Sequence, residues 1–190
     1  VFARILQFYQ SPAKLDMLDC IVHNDTAAIE AGFSRVEINA STILGTVDTR
    51  YLDAHNTLFM NTVTVERRQE GCVRYSYLTE DSVTPQRFRV QPDLALQNKA
   101  DGAFADLPDA IVREKVRPVF ASRTFGDPAY LRLRDGVSEE VLKGGEDGAE
   151  MGVLYHLKQP QRETNLRENL SEYLRFGKEA GVFFILPDRS

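Results

Sequence analysis

The stretch Asp19-Cys20-Ile21-Val22-His23-Asn24 is echoed by Ser41-Thr42-Ile43-Leu44-Gly45-Thr46 and by Asn56-Thr57-Leu58-Phe59-Met60-Asn61. Gly71-Cys72-Val73-Arg74-Tyr75-Ser76 reads as a fourth copy, the spacings being 22, 15 and 15 residues. Each copy opens on a small or polar pair and continues in β-forming residues. A second pattern lies upstream of the first three: Leu15-Asp16-Met17, Val36-Glu37-Ile38 and Leu52-Asp53-Ala54, each apolar, acidic, apolar. Alternate residues of a strand point to opposite faces, so the apolar pair faces in and the carboxylate faces out. Short strands repeated at this spacing, with no helix between them, cannot bury an inner face alone. Stacking the copies along an axis solves the problem, and a parallel β-helix is the predicted fold. A small β-sandwich, with turns every ~8–12 residues, is the alternative.

Working outward, the chain changes character near Pro92, which divides it into solenoid coils over 1–90 and an α/β cap over 91–190. Short helices are expected at Asp93 to Lys99, Pro108 to Arg117 and Ser138 to Lys143. Strands are expected at Val119 to Ala121 and Tyr130 to Leu133, and Val182 to Leu186 reads as a buried strand. Leu166, Leu170, Tyr173, Leu174 and Gly177 recur at helical spacing, predicting a helix from Glu163 to about Ala180. Since a solenoid's last coil exposes core and edge backbone, this helix is the expected cover, with Leu166 and Leu170 buried beneath it.

Composition bounds the function. The 190 residues carry 23 basic and 28 acidic side chains, a net charge of −5, which disfavours nucleic-acid binding. No run approaches the ~18 apolar residues of a membrane span. The chain starts at Val1, and its first ten residues lack a signal-peptide layout, so the expectation is a longer parent chain or processing. Cys20 and Cys72 have no CxxC context, so no zinc framework is visible and no cofactor is implied. If they hold equivalent places in the first and fourth copies, they lie three rungs and ~14 Å apart, too far to bridge.

The sharpest constellation is the outward column Asp16, Glu37, Asp53, the catalytic candidates. Carboxylates on successive rungs, ~4.8 Å apart, either raise a pKa, recruit a cation, or serve as the paired acids of a glycosidase. The bland reading is a solvated face, on which replacing all three by Asn leaves stability equal or slightly raised by removing like-charge repulsion. His23, His55 and His156 share no metal-ligand spacing. Lys143-Gly144-Gly145-Glu146-Asp147-Gly148 lacks the Gly-Lys-Ser/Thr ending of a phosphate loop and reads as a turn. Arginines outnumber lysines 17 to 6; Arg67, Arg68, Arg74, Arg87 and Arg89, set among Glu66, Glu70, Glu80 and Asp81, read as an ion-pair network ending the solenoid.

Several stretches carry a family resemblance: Arg67-Arg68-Gln69-Glu70-Gly71-Cys72-Val73-Arg74-Tyr75-Ser76-Tyr77, Thr84-Pro85-Gln86-Arg87-Phe88-Arg89-Val90-Gln91-Pro92 and Phe125-Gly126-Asp127-Pro128-Ala129-Tyr130. Glu150-Met151-Gly152, Gln159-Pro160-Gln161-Arg162-Glu163-Thr164-Asn165-Leu166-Arg167 and Glu172-Tyr173-Leu174-Arg175-Phe176-Gly177 complete the set. Together they resemble the C-terminal part of large bacterial right-handed parallel β-helix proteins found alongside phage-tail-like contractile injection systems. The resemblance spans about residues 15 to 186 and implies a longer parent with a preceding N-terminal region. It also implies a non-enzymatic structural or attachment component with protein partners in a tail-like assembly, cytoplasmic until the particle is released. It brings no catalytic residue with it. The competing readings are a polysaccharide-cleaving lyase or hydrolase, which needs a cleft with close carboxylates, and a carbohydrate-binding adhesin, which needs exposed aromatics such as Tyr51, Tyr75, Tyr77 or Tyr155.

Overall fold

A computed structural model describes residues 2–3, 6–7, 13–134, 136–174, 178 and 181. Its first half is a parallel β-solenoid of about four turns. Strands β1 (Phe2–Ala3), β2 (Leu6–Gln7) and β3 (Lys14–Leu18) all pair in parallel with the long strand β4 (Ile21–Asn39). Strand β4 pairs in turn with β5 (Thr42–His55), bending at bulges as it passes from face to face. On β5 lie β6 (Leu58–Phe59), β7 (Val63–Val65) and β8 (Gly71–Arg74), and β9 (Gln86–Phe88) stacks on β8. Every ladder between these strands is parallel, which excludes the sandwich.

The coil has three faces. Alternation sends Val36, Ile38, Ile43, Val47, Leu52, Ala54, Phe59, Val63 and Val73 inward to one continuous core. At the corner between the third face and the first, the backbone is left-handed in every coil: Asp19, Ala40, Asn56, Tyr75 and Arg89 all have φ between 46° and 51°. At the first four of these corners the next residue is small or hydroxylic (Cys20, Ser41, Thr57, Ser76), at the fifth it is Val90, and the two serine hydroxyls tie one coil to another. Cys20 N–H donates to Ser41 Oγ (3.1 Å) and Thr57 N–H to Ser76 Oγ (3.1 Å). Those hydroxyls donate to Asn39 O (2.8 Å) and Arg74 O (2.7 Å).

This corner fixes the true register. Leu18 pairs Asn39 and Asn39 pairs His55, so the first and third copies align as the sequence implied. The second copy begins one residue earlier, at Ala40-Ser41. The fourth is Tyr75-Ser76 rather than Gly71-Cys72, because Cys72 stacks on Asp53 in the third face. Cys20 and Cys72 therefore sit in different columns, both as free thiols. A bulky Tyr in the left-handed position disguised the fourth corner, and the polar Gly-Cys pair mimicked it.

The last parallel bridge of the solenoid joins Tyr77 to Gln91, and α1 (Asp93–Gln97) begins two residues later. In the final coil the inward column that holds Val73 ends on Arg87, whose guanidinium donates to Ser82 O (2.6 Å), Thr84 Oγ1 (3.0 Å) and Asp93 (2.9 Å). That polar stopper and α1 close the core. Helix α2 (Asp109–Lys115) packs against α1 through Ala95, Val112 and Val116.

The rest of the described chain runs back along the solenoid. Leu133, Val141 and Met151 pack on Leu58 and Tyr77, and Leu131 and Val153 pack on Ile21 and Leu44, burying the outer side of the first face. Gly152 N–H donates to Asn56 O (2.8 Å) and Val153 N–H to Thr42 Oγ1 (3.1 Å). The expected strands near Phe120 and Leu133 are single bridges only. Helix α3 (Glu139–Leu142) is as short as expected, and α4 spans Gln159–Tyr173.

Helix α4 corrects one expectation: it buries no residue, and Leu166 is 46% exposed. It lies against the returning segment, and the last coil is closed instead by Arg87 and α1, with α2 packed on α1. The expected strand Val182 to Leu186 lies outside the described residues. No helix among the described residues is long and apolar enough to cross a membrane.

Two substitutions test this arrangement. Leu166→Asp should change stability by less than about 0.5 kcal/mol, as an exposed site does. Gly152→Ala should cost at least ~1 kcal/mol, because φ is +94° and an added Cβ would meet Thr42 Oγ1 at 2.7 Å and Leu58 Cδ1 at 2.8 Å. Urea denaturation of both variants gives the comparison; strong destabilisation by Leu166→Asp would return α4 to the core.

Candidate functional site

The three carboxylates singled out from the sequence do stack. Asp16 pairs Glu37 and Glu37 pairs Asp53 in the third face, and the same column continues to Cys72 and Gln86. Two residues upstream on the same outward side runs a second column, Lys14, Arg35 and Tyr51. The two interlock. Lys14 Nζ lies 3.1 Å from Asp16 and 3.0 Å from Glu37, and Arg35 bridges Glu37 (3.3 Å) and Asp53 (3.0 Å). The remaining Asp53 oxygen accepts the Cys72 N–H at 3.0 Å. Hydrogen bonds to these carboxylates hold Lys14 and Arg35 above their ordinary pKa values, Glu37 leading for the first and Asp53 for the second.

Each carboxylate thus already has a cation, or a cation and an N–H. A shallow open groove of about 320 Å³ passes over Asp16, Glu37, Asp53 and His55, but its acids are engaged with one another's bridging cations. Among the described residues no three His, Cys, Asp or Glu side chains group to hold a metal. The repulsion expected from like charges is relieved by the interleaved Lys14 and Arg35.

The histidines are dispersed. His23 Nδ1 meets the Tyr130 hydroxyl at 2.6 Å, while His156 Nδ1 lies 3.1 Å from Val153 O and 3.8 Å from Asp19. Burial, helped by the Arg74 charge, lowers the pKa of His55. The glycine loop after α3 is a turn, as expected, closed by Gly148 N–H on Gly145 O (3.0 Å). The arginines pair widely: Arg67 with Glu70 (3.3 Å), Arg50 with Glu66 (3.7 Å) and Arg113 with Glu80 (3.2 Å).

A site the sequence reading missed lies on the returning segment. Glu150 is buried, 7% exposed, on the floor of a cleft of about 350 Å³ between α3 and α4. Arg132 and Leu133 share that floor. Glu139, Leu142 and Lys143 form one wall at i, i+3 and i+4, and Pro160, Glu163, Thr164 and Arg167 form the other at the same helical spacing. The walls carry matching i,i+4 ion pairs, Glu139–Lys143 at 3.0 Å and Glu163–Arg167 at 2.6 Å. Burial raises Glu150 to about 7, a shift the Arg132 charge opposes. A desolvated carboxyl of this kind in a concave, polar-lined cleft is where binding or acid–base chemistry concentrates. The one signal in the sequence is an acid set inside the apolar run Ala149 to Val153.

No family model, no curated protein and no solved structure matches the chain.

Two outcomes follow. Replacing Asp16, Glu37 and Asp53 together by Asn should lower the unfolding temperature at low ionic strength, with the gap narrowing in concentrated salt as the ladder is screened. An equal or higher unfolding temperature at low salt would restore the repulsive reading. Glu150, with its folded pKa above the unfolded value of 4.5, gives stability that is complete below about pH 4.5 and lost as pH rises through about 7. Glu150→Gln should then be indistinguishable from the parent near about pH 4 and more stable by up to about 3 kcal/mol near about pH 8. A pH-independent difference in urea-unfolding free energy would show that the carboxyl is not desolvated in the fold.

Proposed function

We propose that the chain is a non-enzymatic structural or attachment element of a phage-tail-like contractile particle. The observation that carries this reading is the interlocked charge ladder. A polysaccharide-cleaving pair needs one carboxyl free to donate a proton and another free to attack or to activate water. Here Asp16, Glu37 and Asp53 instead bind Lys14, Arg35 and a backbone N–H, which ties coil to coil. The ladder strengthens a rod and occupies the atoms that catalysis would use.

The stacked core, the corner columns and the lateral wrap favour the same role, since together they resist bending and shear between coils. The resemblance in the Arg67 to Tyr77, Thr84 to Pro92 and Gln159 to Gly177 stretches supplies the particle context and its protein partners. In this reading the protein is cytoplasmic until assembly and leaves the cell within the particle. Contractile particles purified by sedimentation from cells expressing a tagged parent chain should contain it at fixed stoichiometry. Recovery of the tagged chain only in the soluble fraction, with particles assembled and free of it, would reject this function.

A further inference from the structure

The cleft between α3 and α4 is built from groups that the ladder argument does not use. It carries three cations, Arg132, Lys143 and Arg167, and three acids, Glu139, Glu150 and Glu163. On each wall the opposite charges pair with each other, so neither an anion nor a cation meets an uncompensated wall. What the walls offer is a fixed alternation of donors and acceptors. A paired guanidinium still has N–H groups to give, and a paired carboxylate still has lone pairs to receive. Thr164 Oγ1 donates to Pro160 O at 3.0 Å, which leaves its oxygen lone pairs as acceptors. Leu133, Leu142 and Pro160 add an apolar strip beside these polar groups.

We propose that this cleft binds a neutral saccharide, one hexose or N-acetylhexosamine unit of a surface glycan. A pyranose ring presents hydroxyls that each donate and accept, together with an apolar C–H face. That combination matches alternating charged donors and acceptors beside Leu133, Leu142 and Pro160, which in this cleft take the place of the aromatic rings expected of an adhesin. The volume, about 350 Å³, sits at the lower end of small-molecule sites and accommodates one such ring. A saccharide hydroxyl reaching the floor would also hydrogen-bond the buried Glu150 carboxyl. The inference rests on the attachment role proposed above for its biological meaning, and specifies the chemical class that attachment would recognise.

Saturation-transfer NMR and calorimetry on the full chain test it, with glucose, galactose, mannose and N-acetylglucosamine as neutral probes and glucuronate, acetate and glycine as charged ones. The expected result is binding of at least one neutral sugar at millimolar affinity or tighter. Thr164→Phe, which fills the cleft from an exposed helix position, and Arg167→Ala should each weaken it at least ~10-fold. Asp16→Asn, on the distant ladder, should leave it unchanged. No transfer to any neutral sugar, binding of the charged probes alone, or binding that both cleft variants leave intact would each overturn the assignment. Helical circular dichroism of both variants confirms that the cleft walls persist. The outcome is separable from particle assembly: sugar binding without co-sedimentation faults the particle role, and co-sedimentation without sugar binding faults the cleft alone.

Discussion

The left-handed corner at Asp19, Ala40, Asn56, Tyr75 and Arg89 is the constraint on which the molecule depends. Positive φ is costly for residues other than glycine, and it is tolerated here because each corner is locked to the coil stacked on it, the inner ones on both sides. The corner N–H donates to the following coil, as Ala40 does to His55 O (3.0 Å) and Asn56 to Arg74 O (3.1 Å). The hydroxyl column beside it fixes the axial register. Coils of unequal length can then stack, since extra residues are expelled at the other corners while this one stays aligned. A one-residue slip would turn the inward column outward and empty the core.

With register fixed, the outer faces take different work. The first face is apolar outside as well as inside, and the chain returns to bury Ile21, Leu44, Leu58 and Tyr77 beneath residues 131–153. Burial of each such side chain is worth about 1.5–3 kcal/mol relative to exposure, so this wrap outweighs the exposed ion pairs of the third face by a wide margin. The third face keeps its columns in water, where Lys14 and Arg35 trim repulsion rather than supply the bulk of stability. Asn56 joins the two themes. Its backbone makes the corner, and its side-chain oxygen accepts Glu146 N–H at 2.9 Å, anchoring the returning chain.

The wrap also creates the cleft. Glu150 lies between the buried Ala149 and Met151, the latter packed on the solenoid at Leu58, and α3 and α4 line the cleft above it. Its raised pKa follows from that position. The ladder carboxylates, by contrast, lie on an open face and are met by cations at bonding distance. Two sets of acids in one chain are thus sorted by burial: one neutralised by partners, the other by the loss of water.

The period-2 alternation of Leu15-Asp16-Met17, Val36-Glu37-Ile38 and Leu52-Asp53-Ala54 determined by itself that these residues form stacked strands with acids outside, because side-chain direction in a strand is set by sequence parity. Lys14 and Arg35 lie two residues upstream and hence on the same side by the same parity, but the expectation of repulsion among the acids passed over them. The helix over Gln159–Tyr173 was legible in its existence, but its docking was not: the apolar spacing of Leu166 and Leu170 suggested a buried face, and packing left Leu166 in water. The fourth corner was hidden because Tyr75 gives no local sign of left-handed backbone; only the coils stacked against it impose that conformation. Glu150 was hidden for a similar reason. Its floor and walls come from Arg132, from α3 and from α4, segments separated along the chain, and the desolvation that distinguishes it from the other acids exists only where the tertiary structure brings them together.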